Sequence, residues 1–357
     1  MAAAADAIWV QGQASGMVVA VVHGDQARAL AYGRLDPNDA RPADARTLVR
    51  LQSVSKLFAG ALLADLASQG KVKLDDPLAL YAPKGWQAPK SKRLPPRITL
   101  VSLATHTSGL PREAPIKPGQ SALAASAARW SWLAKQRRLP PPGVGAAYSN
   151  TAFDLLGDAL AKASGAPYGT ALNAAITGPL AMNDTTATPS AEQCERMMAG
   201  DPNRKPFPCV DQSGEAASGG LYSTAGDMAL WLKAQLAPAA TPGAQAISQA
   251  VYVRREQLRT AAGLDHAGPA SGIGLAWIEQ DARPGRPRIL EKTGGGDGFL
   301  TYVVIDPLHR AGVFVGFNNV SGHRLGAVAE AADQLVFLMG AEPDAVSLPG
   351  VSAAAAH

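Results

Sequence analysis

Residues 16–23 (Gly-Met-Val-Val-Ala-Val-Val-His) form an apolar run short enough for a buried strand, and Gly24-Asp25 marks a turn after it. Residues 27–33 are expected to pair back as a second strand. The pattern then turns helical. Leu57, Phe58, Leu62, Leu63 and Leu66 recur up to Gly70, a helix stop. Asp75-Asp76-Pro77 opens a further helical turn, and residues 98–105 read as a short apolar helix. Phe153, Leu155, Leu156, Ala159 and Leu160 mark an amphipathic helix ending at Gly165. Ser223-Thr224 caps another, carrying Met228, Trp231 and Leu232.

Near the end the period changes. Residues 288–293, 299–305 and 312–317 read as three strands, with Asp306-Pro307 and Ala311-Gly312 at the last turn. Residues 323–339 form a closing helix through Leu325, Val328, Leu335, Val336 and Leu338. The stretches 112–147, 211–221 and 237–272 read as surface elaboration and loop.

Strands thus cluster at both termini and helices fill the middle. The expected fold class is α+β, with one antiparallel sheet built from both chain ends, flanked by helices and carrying a large, mostly helical insertion. Residues 15–340 are expected to form a single unit. Its sheet-bearing part covers about 15–60 and 273–340, its helical part about 61–272, and 1–14 and 341–357 are tails.

Composition narrows the class. Of 357 residues, 47% are hydrophobic and 17% charged, which describes a chain able to bury a core. The net charge is +4 and no basic run of five occurs, so nucleic-acid binding has no support. The alanine clusters read as compositional bias. No apolar run is long enough to span a bilayer, so membrane contact is expected to be peripheral at most. The start, Met-Ala-Ala-Ala-Ala-Asp, has neither a cationic nor a hydrophobic signal region. A cytosolic protein and an exported one whose signal peptide has been removed both fit it. The six histidines show no metal-ligand spacing, so no metal is expected. Cys194 and Cys209 lie in one Pro-rich loop. A disulfide there is favoured over two unrelated thiols, and would contribute about 3 kcal/mol.

Three stretches carry candidate chemistry. In Leu51–Phe58, Ser53 and Lys56 stand three apart, on one face if a helix starts near Ser53. A serine becomes a nucleophile when a nearby base takes its proton, and burial in an apolar helix favours the neutral lysine that this needs. The plain alternative is a capping serine. Tyr148 and Asn150, in Tyr148-Ser149-Asn150, bring a phenol and an amide to a helix start. Ammonium groups beside a phenol favour its ionised form, which is a base. Lys292-Thr293-Gly294-Gly295-Gly296 ends a strand in glycines, letting a ligand approach the backbone beside a cation and a hydroxyl. His106, in a loop, is either a base or, more plainly, a partner for backbone.

The order Ser-x-x-Lys, Tyr-x-Asn, Lys-Thr-Gly resembles the penicillin-recognising serine enzymes, that is, serine β-lactamases and low-molecular-mass penicillin-binding proteins. Tyr-x-Asn is similar to the class C branch. Residues 105–113, 148–156, 194–209, 218–224 and 292–296 together resemble the AmpH-type D-alanyl-D-alanine carboxypeptidase/endopeptidases of the periplasm. The resemblance implies a serine DD-peptidase acting on peptidoglycan peptides and acylated by β-lactams, without a cofactor. It implies Ser53 as nucleophile, Lys56 and Tyr148 sharing the base role, and Asn150 orienting the substrate amide. Lys292 and Thr293 would hold the substrate carboxylate, Gly294 would line the strand edge, and the backbone N–H groups of Ser53 and Gly295 would form an oxyanion hole. Glu113 falls at a substrate-side position. Gly295 departs from the Ser, Thr or Ala common there in β-lactamases. A class C-like β-lactamase or esterase, and a penicillin-binding sensor that stays acylated, are the alternatives.

Overall fold

The computed structural model describes residues 2–36, 40–88, 98–117, 119–200, 208–238, 243–318 and 324–341. Eight strands form one antiparallel sheet: β1 Gly16–His23, β2 Gln26–Gly33, β3 Val253–Arg254, β4 Gly272–Ile273, β5 Ile278–Gln280, β6 Ile289–Gly296, β7 Phe299–Asp306 and β8 Ala311–Asn318. Their spatial order is 2-1-8-7-6-5-4-3. The first and last strands of the chain are neighbours, with Val19 opposite Val315. The sheet built from both ends is therefore observed, and β3 and β4 extend it into a segment expected to be loop. Strands of two residues are too short to show a period of two.

Both faces of the sheet are covered, which is why β1 is apolar at successive positions. Val18, Ala20 and Val22 face the larger core with Phe58, Trp231 and Phe314. Met17, Val19 and Val21 face a second core under two helices, α1 Ala2–Gly12 and α7 Leu325–Ala341. The segment expected as an N-terminal tail is thus mostly helix. Its alanines favour helix, and Ala5 and Ile8 are buried in the same core as Val328 and Ala332. Residues 342–357, most of the expected C-terminal tail, lie outside the described residues, as does His323.

The middle of the chain supplies α2 Ser55–Ser68, α3 Leu100–Ala104, α4 Ala122–Ala134, α5 Asn150–Ser164 and α6 Ala225–Leu236. α2 has almost no polar face, and a helix apolar all round belongs inside; it is buried from Ser55 to Ala64. α6 packs on β1, β2 and β8, and α5 packs on α2. Trp231 of α6 stacks between Phe58 at 5.1 Å and Trp277 at 5.9 Å, tying α2 to the sheet side. α4 and the buried Trp130 lie within the stretch read as surface elaboration.

Candidate active site

Ser53 sits in a tight 3-10 turn, Gln52–Val54, immediately before α2. The helix begins at Ser55, two residues after the serine. Ser53 does not cap it. Its hydroxyl accepts from Lys56 Nζ at 3.2 Å and is hydrogen-bonded by the Tyr148 hydroxyl. The turn is held by its neighbours. Gln52 has φ of 51°, a left-handed conformation that non-glycine residues seldom adopt. Its side-chain amide donates to Gly296 O at 3.0 Å and to the Asp297 carboxylate at 3.2 Å. Arg50 pairs with the same carboxylate and donates to Gln212 Oε1 at 3.2 Å.

Lys56 is fully buried. Its Nζ donates to Ser53 Oγ, to Asn150 Oδ1 at 2.6 Å and to the Ser218 carbonyl at 2.5 Å. Burial lowers its pKa to about 7, opposed by Asp154 and Glu113 and assisted by Arg112. A lysine so placed exchanges a proton near neutral pH.

Tyr148 precedes α5, whose N-cap is Ser149. The Ser149 hydroxyl accepts from Ala152 N at 3.0 Å and donates to Pro111 O at 2.6 Å. The Ser149 N–H donates to His106 Nδ1 at 3.0 Å, and the His106 ring stacks on Tyr148 at 4.6 Å. His106 therefore does the plainer of its two expected jobs, bonding backbone and seating the phenol. Burial, then Lys56, Lys292 and Arg112, push its pKa well below the usual histidine range, so the ring is neutral. Three basic groups surround the phenol ring: Lys56 Nζ at 4.7 Å, Arg112 Cζ at 4.9 Å and Lys292 Nζ at 5.4 Å from its centroid.

Asn150 accepts from Lys56 through Oδ1 and donates through Nδ2 to Glu113. Glu113 is thereby brought to the site, at its exposed rim. Lys292, buried in β6, donates to the Thr293 carbonyl at 2.8 Å, and burial lowers its pKa. Gly294 is where strand and serine turn meet. A Cβ there would lie 2.7 Å from Leu51 O and 3.0 Å from Ser53 N, so any side chain would push the two apart. At Gly295 a Cβ would meet only the end of the Leu300 side chain, at 2.9 Å, and at 3.9 Å the Phe299 carbonyl. Ser53, Lys56, Tyr148, Asn150, Glu113 and the 292–295 strand thus converge from four separate segments.

Beside them opens a cavity of about 580 Å³, with Asn150, Ser218, Glu113, Asp154, Glu215 and Arg129 among its walls. Cys194 and Cys209 are joined as a disulfide, S–S 2.08 Å, and Val210 and Asp211 just beyond it also line the cavity. Two participants had no role in the sequence reading. Ser218 contributes a main-chain carbonyl, which no residue type announces. Asp154 stands four residues beyond Asn150 on α5, a spacing that places both on one face.

Among the described residues no group of His, Cys, Asp and Glu could hold a metal ion, and no helix is long and apolar enough to cross a membrane. Comparison with known proteins gives one consistent result. The family model described as Beta-lactamase matches residues 1–337. The D-alanyl-D-alanine-carboxypeptidase/endopeptidase AmpH of Escherichia coli (strain K12) is 42% identical over 321 residues, covering 87% of this chain and 81% of that protein. A crystal structure of a β-lactamase/D-alanine carboxypeptidase from Yersinia pestis, complexed with citrate, superposes with a TM-score of 0.86 at 38% identity, covering 94% of this chain and 95% of the other. A class C β-lactamase from Rhodobacter sphaeroides superposes at 0.73 with 25% identity, covering 94% of this chain and 97% of that one.

Proposed function

Since this chain belongs to the β-lactamase family, we propose that it is a serine DD-peptidase that cleaves D-Ala-D-Ala peptides of peptidoglycan and is acylated by β-lactams. The observation that carries this reading is the double contact at Ser53. Its hydroxyl touches both the buried amine of Lys56 and the phenol of Tyr148. No other serine among the described residues contacts a lysine amine and a tyrosine hydroxyl together.

The chemistry follows from that contact. Ser53 Oγ attacks the carbonyl carbon of the penultimate D-Ala. Its proton passes to the Lys56–Tyr148 pair, which share the base role. The C–N bond breaks, and the leaving amine of the terminal D-Ala takes up that proton. Water then attacks the Ser53 ester and gives a proton to the same pair, which returns it to Ser53 Oγ as the ester C–O bond breaks and the shortened peptide leaves. Asn150 aligns the substrate amide through the group it already offers Glu113. Lys292 and Thr293 receive the terminal carboxylate. The N–H groups of Ser53 and Gly295 stabilise the oxyanion, a contribution of about 3 kcal/mol per donor in related chemistry. Substrate of this kind places the working enzyme in the periplasm, at the cell wall.

The test is intact-mass spectrometry with benzylpenicillin over time, followed by D-Ala release from muropeptides. A covalent adduct on Ser53 that outlasts minutes, together with D-Ala release, is the expected result. Penicillin consumed with no lasting adduct would assign the chain to β-lactamase work instead. An adduct without any D-Ala release would make it a sensor. Ser53→Ala is expected to abolish labelling and lower D-Ala release by roughly a thousand-fold or more.

A further inference from the structure

An oxyanion hole made of the Ser53 and Gly295 N–H groups works only if the two donors keep a fixed spacing. One sits on a turn and the other on a strand, far apart in the chain. The strand is tied to the turn on either side of Gly295. Before it, Gly294 lies so close that a Cβ would come within 3.0 Å of Ser53 N and 2.7 Å of Leu51 O. Thr301, opposite Gly294 in the register of β6 and β7, donates through Oγ1 to the same Leu51 carbonyl at 2.8 Å. After it, the Gly296 carbonyl accepts from Gln52 Nε2 at 3.0 Å. Residue 52 adjoins one donor and residue 296 adjoins the other, so this hydrogen bond spans the gap between them.

Gln52 holds this place under strain. Its φ of 51° lies in the left-handed region, which glycine enters freely and other residues do not. Strain of this kind persists where the surroundings over-determine it, and it gathers at active sites. The surroundings here are close. Gln52 is 7% exposed, and its amide donates a second bond, at 3.2 Å, to the Asp297 carboxylate that Arg50 also holds. A Cβ on Gly296 would come within 2.9 Å of Gln52 Oε1. The amide is thus lodged against the end of β6. Glycine at 52 would adopt the turn without strain and offer Gly296 no donor.

We infer that Gln52 is a positioning residue for the oxyanion hole, setting the spacing of the Ser53 and Gly295 N–H groups through its bond to the Gly296 carbonyl. This rests on the reading of Ser53 as nucleophile and of those two groups as the oxyanion donors. Gln52 touches no substrate in this role. Its effect falls on the stage at which negative charge builds on the carbonyl oxygen. A donor misplaced there by about 1 Å slows reaction by roughly a hundred-fold.

The test compares wild type with Gln52→Gly, which relieves the strain and removes the amide, and Gln52→Met, which keeps the length and removes the donor. Acylation by benzylpenicillin is followed by rapid-quench intact mass over a range of concentrations, so that the limiting rate separates from half-saturation. The limiting rate should fall roughly ten- to a hundred-fold in both variants, with half-saturation within about threefold of wild type. Phenylboronic acid is the second probe. Its boron takes an electron pair from Ser53 Oγ, whose proton passes to the Lys56–Tyr148 pair, and becomes a tetrahedral anion. Its affinity should fall by about the same factor as the limiting rate. A merely structural glutamine would lower the melting temperature and leave both readings in place. A limiting rate within about threefold of wild type in either variant, or an unchanged boronate affinity beside a fallen rate, overturns the inference. A wild type that forms no adduct at Ser53 with either probe overturns the underlying reading as well, which sets that failure apart. Should one variant fail to fold, the other carries the same comparison.

Discussion

The phenol oxygen of Tyr148 is hydrogen-bonded to the hydroxyl of Ser53, although 95 residues separate them. The contact depends on a stack of local decisions. Ser149 caps α5, His106 receives the Ser149 N–H, and the His106 ring backs the tyrosine. Tyr148→Phe keeps the ring and its packing and deletes only the hydroxyl. Acylation by benzylpenicillin is expected to fall by roughly 10²–10⁴-fold, the range for losing a positioned proton-transfer group. The melting temperature should stay within a few degrees of wild type. A drop of less than threefold would remove Tyr148 from the proton path.

Asp297 fastens the serine turn to the strand. It accepts from Gln52 and pairs with Arg50, whose side chain is 4% exposed. Breaking a buried pair costs about 3–5 kcal/mol, and because Asp297 is itself 34% exposed the expected loss for Asp297→Ala is about 2 kcal/mol. Asp297 also has φ of 52°, a conformation that asparagine tolerates better than alanine. Asp297→Asn should therefore retain more of the stability in urea titration. Equal losses would mean that the backbone conformation contributes nothing.

Glu291, on the strand residue next to Lys292, has a buried oxygen without a hydrogen-bond partner among the described residues. Burial raises its pKa from 4.5 to about 8, against the pull of Lys292. Between those two values the folded protein holds a proton that the unfolded chain has released. Stability contributed by this group is full below the unfolded value and declines as pH rises toward 8. Glu291→Gln stays neutral throughout, so its melting temperature should exceed wild type at pH 8.5 and converge with it near pH 5. The same difference at both pH values would mean that packing, not ionisation, controls this position.

The disulfide closes a segment of 15 residues beside the cavity rim. Replacing both Cys194 and Cys209 by Ser should cost about 3 kcal/mol, read as a lower urea midpoint. Reducing agent should shift the wild type toward the double variant and leave the variant unchanged. A wild type indifferent to reductant would show that the bond does not limit unfolding.

What could be read beforehand depended on whether a residue acts through its side chain. Ser53, Lys56, Tyr148 and Lys292 belong to short words whose residue types are demanded by chemistry, so their convergence was anticipated. Ser218 holds Lys56 through its carbonyl, a group every residue possesses, and nothing at the sequence level singles it out. Asp154 was visible only as a polar position four residues beyond Asn150. Helical spacing puts it on the Asn150 face, but the same spacing describes any solvated carboxylate. The fold was legible at its ends, where eight-residue strands carry a full pattern. It was illegible at Val253–Arg254 and Gly272–Ile273, where two residues cannot show one. The N-terminal helix was hidden by its composition, because an alanine run reads as bias until Ala5 and Ile8 are seen packed under α7.

The position of β1 between β2 and β8 has a consequence for how the molecule comes into being. A ribosome delivers β1 first and its partner β8 nearly last. Until residue 311 emerges, one edge of β1 has no strand to pair with, and the face that carries Val18 and Val19 has no finished sheet around it. Contacts of such long sequence separation form late and slowly. The nascent chain therefore cannot complete its sheet before β8 emerges, and until then the unpaired edge of β1 needs protection from aggregation. A frameshift or stop codon anywhere before β8 would leave no partly working enzyme, because the sheet that orients Lys292 toward Ser53 would lack the strand that closes it.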